Sequence, residues 1–146
     1  MIKILGVDYG DARTGLAVTD SLGMMASGAG CIKCEGFRRA AEAVAAVAAE
    51  RGVGLIVVGN PINMNGTEGP RSEKCRAFAA ALGEMTSLPV ELYDERLTTV
   101  SAHRFLSDQN VRGKKRKEAV DELSATLILQ DYLDRNRDKL KETAGE

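Results

Sequence analysis

The sequence holds no tryptophan, only three phenylalanines and three tyrosines, and one histidine in 146 residues. So few aromatics disfavour a nucleic-acid binder that works by stacking bases on many rings. The one histidine, His103, falls a step off the Ala102-Phe105-Leu106 stripe, which suits a partly exposed helix position, and no serine or cysteine is paired with it as a nucleophile. No apolar run approaches the length of a membrane span. Nor is there a charged-then-apolar leader before the first apolar segment, so a cytoplasmic protein with no membrane partner is expected. The cysteines, Cys31, Cys34 and Cys75, are odd in number and make no disulfide framework. Cys31 and Cys34 form a C-x-x-C that lacks the second pair or the nearby histidine a zinc site needs, so they read as ordinary thiols around a strand end. Charge of either sign is not in excess: Lys plus Arg is 20, Asp plus Glu is 21, and the formal net charge is -1. Any signal for nucleic acid must therefore be local.

What is present reads as one α/β domain over 1–136, with a charged tail at 137–146. Residues 2–8 are almost wholly apolar and end in Asp8; a short turn through Gly10 leads to a second strand over 14–20. A weaker extended segment at 24–33, broken by Gly28 and Gly30, makes an edge-like third strand. Phe37, Ala40, Val44, Val47 and Ala48 recur at helical spacing over 37–51. Leu55-Ile56-Val57-Val58 is a buried parallel strand by its shortness and branching. The polar stretch 60–70 is a loop, and a helix follows to about residue 85 with Phe78, Ala81, Leu82 and Met85 inward. A last strand over 89–93 ends at Asp94-Glu95-Arg96. Thr98 can cap a short helix to about residue 107, 108–113 is loop, and a final helix runs from Lys114 to about Arg135. The expected fold is a mixed five-stranded sheet, an antiparallel three-strand meander plus two parallel strands, with helices on both faces.

Three acids from distant places fall where that fold can gather them. Asp8 ends the first strand, and Asp94 and Glu95 end the last; their carboxyl ends open on one edge if the first strand is central and the two run parallel, and open α/β sheets bind ligands at such edges. Asp121 shares a helix face with Ser124, Ala125, Ile128 and Tyr132, an apolar and small-residue face that would let the helix approach the sheet. Converging carboxylates repel one another unless a cation binds, and oxygen-only ligands suit Mg²⁺ or Mn²⁺. Two such ions about 3.5–4 Å apart can activate a water and stabilise a phosphodiester's leaving oxygen. Asp94 alone is accounted for as a surface charge or cap.

The local basic signal is Arg112, Lys114, Lys115, Arg116 and Lys117, a few residues upstream of Asp121. A solvated charge run is its ordinary explanation. A positive rim beside an acidic centre also suits a polyanion held by its phosphates. The 60–71 loop offers Asn63, Asn65 and Arg71 at a helix N-terminus, where an ordinary αβ loop and a phosphate site read equally well. Arg13 on the hairpin turn and Arg96 after the last strand are further candidate phosphate contacts.

Together these residues resemble the YqgF/RuvX family of pre-16S rRNA nucleases, also called Holliday junction resolvase-like proteins. The matching segments are Leu5-Gly6-Val7-Asp8-Tyr9-Gly10 with Arg13-Thr14-Gly15-Leu16-Ala17, then Gly59-Asn60-Pro61 with Asn63-Met64-Asn65-Gly66-Thr67-Glu68-Gly69-Pro70-Arg71. Asp94-Glu95-Arg96-Leu97-Thr98-Thr99 and Lys115-Arg116-Lys117 with Asp121 complete the set. The resemblance implies an RNase H-like fold, a metal-dependent nuclease acting on structured RNA, and Asp8, Glu95 and Asp121 as both catalytic and metal-binding set. Branched DNA is the other substrate class it carries, and either a monomer or a homodimer fits. Two further readings stand beside it. One is a nucleotide-binding phosphotransferase, because an Asp-x-Gly hairpin also resembles the phosphate loop of actin-like ATPases and sugar kinases, although those need two such domains. The other is an RNA-binding ribosome assembly factor without catalysis.

Overall fold

A strand made of Ile, Leu, Gly and Val can be covered on both faces, and such a strand belongs at the middle of a sheet. β1 (Ile4–Asp8) is buried at every position. In the computed structural model, which describes residues 2–20, 22–63, 65–97 and 114–137, it is the central strand of five in the order β3-β2-β1-β4-β5. β2 (Arg13–Thr19) pairs antiparallel with β1, and β3 (Ala26–Lys33) antiparallel with β2. β4 (Leu55–Asn60) runs parallel to β1, and β5 (Val90–Asp94) parallel to β4. This is the meander with two parallel additions that the sequence predicts.

The period of two along each strand sorts the side chains into two cores. Leu5, Val7, Leu16, Val18, Ile56 and Val58 meet Ala40 and Val44 of α1 (Phe37–Arg51) and Phe78 and Leu82 of α2 (Pro70–Thr86). On the other face Ile4, Ala17, Leu55 and Val57 meet Ala125, Ile128, Leu129 and Leu133 of α3 (Lys114–Arg135). Tyr9 extends the first core past the end of β1 by stacking on Phe78, with ring centroids 4.5 Å apart. Helices on both faces are therefore observed, and among the described residues no helix is long and apolar enough to cross a membrane.

Some details depart from the sequence reading. Met85 and Phe37 are exposed rather than inward. Each lies in a terminal turn of its helix, beyond the last residue the sheet covers, and Phe37 instead carries the Arg38 guanidinium 5.6 Å from its ring centre. Asn60 belongs to β4, not to the following loop, and is 3% exposed. Its Oδ1 accepts a 2.6 Å hydrogen bond from Ser72 Oγ, so two buried polar groups satisfy each other and tie the strand end to the first turn of α2. The expected helix from Thr98, with His103, and the tail from 138 lie outside the described residues.

α3 is held across the meander by its polar side chains. Gly30 N donates to Glu122 Oε2 at 2.5 Å, and Ala26 N donates to Gln130 Oε1 at 2.9 Å. Both donors belong to the edge strand β3, whose free N–H groups would otherwise face solvent. These clamps fix the height of α3 over the sheet, and with it the position of Asp121.

Candidate active site

The last residue of β1 decides where the site is. Asp8 follows Ile4 and Gly6 at a spacing of two, so its side chain stands on the α3 face. Its partner across β2 is Gly15. On the other side Val7 is level with Val58, which brings Asp8 beside Gly59. The acid is thus flanked by two positions with no side chain. A Cβ at Gly15 would overlap the backbone carbonyl oxygen of Asp121. A Cβ at Gly59 would lie 2.7 Å from Glu95 Oε1 and 2.6 Å from Ile128 Cδ1. The two glycines are the floor that lets α3 descend on one side of Asp8 and the Glu95 carboxylate fold back on the other.

Glu95 opens a 3-10 turn immediately after β5 (Glu95–Leu97) and is 2% exposed, while Asp8 is 7% exposed. Both carboxylates are buried on either side of Gly59's bare surface, and carboxylate oxygens so placed suit a hard cation. Asp94 is set apart from them. Arg96 grips it with three hydrogen bonds, Nε to Oδ1 at 3.1 Å and to Oδ2 at 3.0 Å and Nη2 to Oδ2 at 2.7 Å, and this guanidinium holds the Asp94 carboxyl below the usual range. Arg96 is thereby committed to a neighbour on its own turn.

Asp121 is half-buried one helical turn past Lys117, and its Oδ2 accepts a 2.8 Å hydrogen bond from Arg13 Nε. Asp8, Gly10, Asp11, Ala12, Arg13, Arg71, Val120 and Asp121 enclose a cleft of about 460 Å³. Asp8 and Asp121 share that cleft; the Glu95 carboxylate packs over Gly59, the position beside Asp8, without lining it. Among the described residues no three His, Cys, Asp or Glu side chains converge closely enough to hold a metal ion. Asp121 is instead turned onto Arg13. The donor chemistry, carboxylate oxygens with open volume for water, is that of a Mg²⁺ or Mn²⁺ site.

The candidate phosphate contacts separate into two groups. Arg71 reaches the cleft from the start of α2 and donates from Nη2 to the Tyr9 carbonyl oxygen at 3.2 Å. Arg13 faces it. Asn63 and Asn65 do not line the cleft: Asn63 Nδ2 donates to Thr67 Oγ1 at 3.1 Å, and Asn65 Oδ1 accepts from Thr67 N at 3.1 Å and Thr67 Oγ1 at 2.6 Å. They brace their own loop, as Asx side chains do. Lys114, Lys115, Arg116 and Lys117 form the first turn of α3, and Lys117 is exposed there. Arg112 lies outside the described residues.

Sequence reasoning overlooked the two glycines as parts of the site. Their signal was a glycine at a strand position otherwise given to branched residues, which marks a close approach. It read Cys31 as an ordinary thiol around a strand end, without its place beside the site. None of the three cysteines is in a disulfide, and Cys31 pairs with Gly15 across β2 and β3, beside the site. Burial, and then the charges of Asp121 and Glu118, push its thiol up to about 11. At pH 8 it should react with iodoacetamide on the order of 100-fold more slowly than an ordinary thiol. Timed labelling with peptide mass spectrometry checks this, and a rate matching a free peptide cysteine would refute it.

Residues 2–135 match the family model described as RuvX, Holliday junction resolvase. A Ruminiclostridium cellulolyticum protein named "Putative pre-16S rRNA nuclease" is 44% identical over 135 residues, covering 92% of this chain and 95% of that protein. A Geobacillus kaustophilus protein of the same name is 46% identical over 142 residues, covering 93% of this chain and all of its own length. Among solved structures, Thermus thermophilus RuvC in complex with a Holliday junction substrate aligns with a TM-score of 0.58 at 15% identity, over 92% of this chain and 96% of that one. The fowlpox virus Holliday junction resolvase aligns at 0.52 and 12% identity, over 92% and 99%. At such identities the likeness concerns the fold, which is RNase H-like. Because the family model spans nearly the whole chain and relatives above 40% identity cover more than nine-tenths of it, the chain belongs to the RuvX family.

Proposed function

We propose that the chain is a metal-dependent endonuclease that hydrolyses phosphodiesters of structured RNA, in the 5′-end maturation of pre-16S rRNA in the cytoplasm. The observation that carries this reading is the cleft in which Asp8 and Asp121 face Arg13 and Arg71, with Glu95 buried beside Asp8. Membership of the RuvX family and relatives named as pre-16S rRNA nucleases support the same reading. Asp8, Glu95 and Asp121 are the side chains that would hold Mg²⁺ or Mn²⁺, which when bound makes a hydroxide-like nucleophile accessible at neutral pH and stabilises the leaving oxygen. The chain's own cations do the rest. Arg71 offers a planar guanidinium to a phosphate oxygen at the cleft wall. The basic first turn of α3 attracts the flanking backbone without reading its sequence. One copy supplies every residue named.

The deciding experiment incubates the purified protein with 16S precursor RNA carrying its 5′ leader, and with a four-way DNA junction, each in Mn²⁺ or Mg²⁺. Cutting of the RNA, abolished by EDTA and restored by either metal, is the expected result. Cutting that ignores EDTA, or that persists in the Asp8→Asn/Asp121→Asn double variant, overturns the carboxylate mechanism. Cutting of the junction with the RNA left intact moves the substrate to branched DNA, in line with the description of the family model. For the basic turn, replacing Lys114, Lys115 and Lys117 by glutamine should weaken RNA binding and flatten the plot of log affinity against log salt by about two units. An unchanged slope places the backbone track elsewhere.

A further inference from the structure

Arg13 and Asp121 are an ion pair at the mouth of the proposed metal site, and its form is unusual beside the other arginine pair nearby. Arg96 holds Asp94 with three hydrogen bonds. Arg13 holds Asp121 with one, Nε to Oδ2 at 2.8 Å, and the two side chains are 31% and 24% exposed. A single charge-assisted bond at a wet cleft wall exchanges easily. Both partners line the cleft that also contains Asp8, Asp11 and Arg71. Of the carboxylates around the cleft, Asp11 is paired with Lys74 at 3.2 Å, and the guanidinium of Arg13 offsets the charge of Asp121.

We propose that Arg13 is a displaceable placeholder for the metal. It neutralises Asp121 in the metal-free protein, is released into the cleft when a divalent cation takes the carboxylate, and then joins Arg71 in holding a phosphate of the nucleic-acid backbone. This rests on the metal-site reading given above. It adds that the metal and the polyanion bind cooperatively through one side chain. By linkage each raises the other's affinity by the same factor, because the released guanidinium can serve only one anion at a time. No movement of the main chain is needed, since Arg13 is the first residue of β2 and its flexible stem can swing across the cleft.

Three measurements test this. By titration calorimetry with Mn²⁺ alone, Arg13→Gln should bind the ion roughly fivefold more tightly than the unaltered protein, since no counter-ion must be displaced, and Asp121→Asn should bind it more weakly. A side chain with a merely structural role would leave the affinity unchanged or lower it. By fluorescence anisotropy with a pre-16S RNA fragment, Arg13→Gln should lose roughly fivefold in RNA affinity in Ca²⁺ and almost nothing in EDTA, where Arg13 is occupied by Asp121. In the unaltered protein, labelled with ¹⁵N-arginine, the Arg13 Nε–H resonance (assigned by its loss in Arg13→Lys) should shift and exchange faster with water when Mg²⁺ is added. That last measurement stands if Arg13→Gln fails to fold. Equal or weaker Mn²⁺ binding in Arg13→Gln, an equal loss of RNA affinity with and without metal, or an Nε–H signal indifferent to Mg²⁺ overturns the exchange while leaving the metal site intact. Absence of Mn²⁺ binding by the unaltered protein overturns the metal reading and the exchange together.

Discussion

Asp8→Asn is expected to fold and to cut pre-16S RNA on the order of a thousandfold more slowly than the unaltered protein, because a site metal contributes several kcal/mol of charge stabilisation and each 1.36 kcal/mol is tenfold in rate. Among the acids Asp8 is the one whose position is fixed most completely. It ends a strand buried at all five residues, it is flanked by Gly15 and Gly59, over which the Asp121 main chain and the Glu95 carboxylate lie, and it shares the cleft with Asp121. Asparagine keeps the volume and one oxygen acceptor but gives up the negative charge that a hard cation needs. The expected loss therefore lies in catalysis and metal affinity rather than in the fold. Single-turnover cleavage in saturating Mn²⁺, with a thermal melt followed by circular dichroism, separates the two. Activity above a tenth of normal in a folded Asp8→Asn removes Asp8 from the mechanism. A large drop in melting temperature would instead make its burial a structural matter.

The elements were legible in the sequence wherever one strong period or one unbroken apolar run dominated. α1 was read at its observed limits from the alanine and valine spacing, and β4 from four consecutive branched or leucine residues. The meander and the two parallel strands were legible too, but the order β3-β2-β1-β4-β5 comes from the structure, where β1 and β4, apolar on both faces, lie inside. The sequence could not reveal what depends on two chains of neighbours meeting. Asn60 looks like a loop residue because its partner, Ser72, lies on a different element. Arg96 looks like a phosphate ligand because the side chain that occupies it, Asp94, is too near in sequence to suggest a cage. Asn63 and Asn65 look like ligands for the same reason, being spent on Thr67 within their own turn. The gathering of Asp8 and Asp121 into one cleft was legible because both acids interrupt apolar patterns. The pairing of Asp121 with Arg13 was not, since it joins residues 108 positions apart.

Gly15→Ala should be the most destabilising single methyl the site can receive. At most glycines an added Cβ meets open space or a side chain that can swing aside; at Gly28, for example, it would press on the Glu122 carboxylate arm at 2.6–2.9 Å. At Gly15 the obstruction is main chain, the carbonyl of Asp121 and the Glu122 nitrogen 2.9 Å away, inside a helix whose hydrogen bonds forbid a local detour. Relief requires α3 to rise or slide as a body, and α3 is pinned to β3 by Glu122 and Gln130 and to the sheet by Ile128, Leu129 and Leu133. The cost should reach the top of the overpacking range, about 3 kcal/mol, lowering the melting temperature by roughly 10 °C for a chain of this size. Gly28→Ala should cost less than half of that. Since α3 carries Asp121, Gly15→Ala should also weaken Mn²⁺ binding at temperatures where the protein is fully folded, which an effect confined to stability would not do. A Gly15→Ala protein that melts within about 2 °C of the original, less than roughly 1 kcal/mol for a chain of this size, would mean that α3 does not rest on this glycine, and the placement of Asp121 over the end of β1 would fall with it.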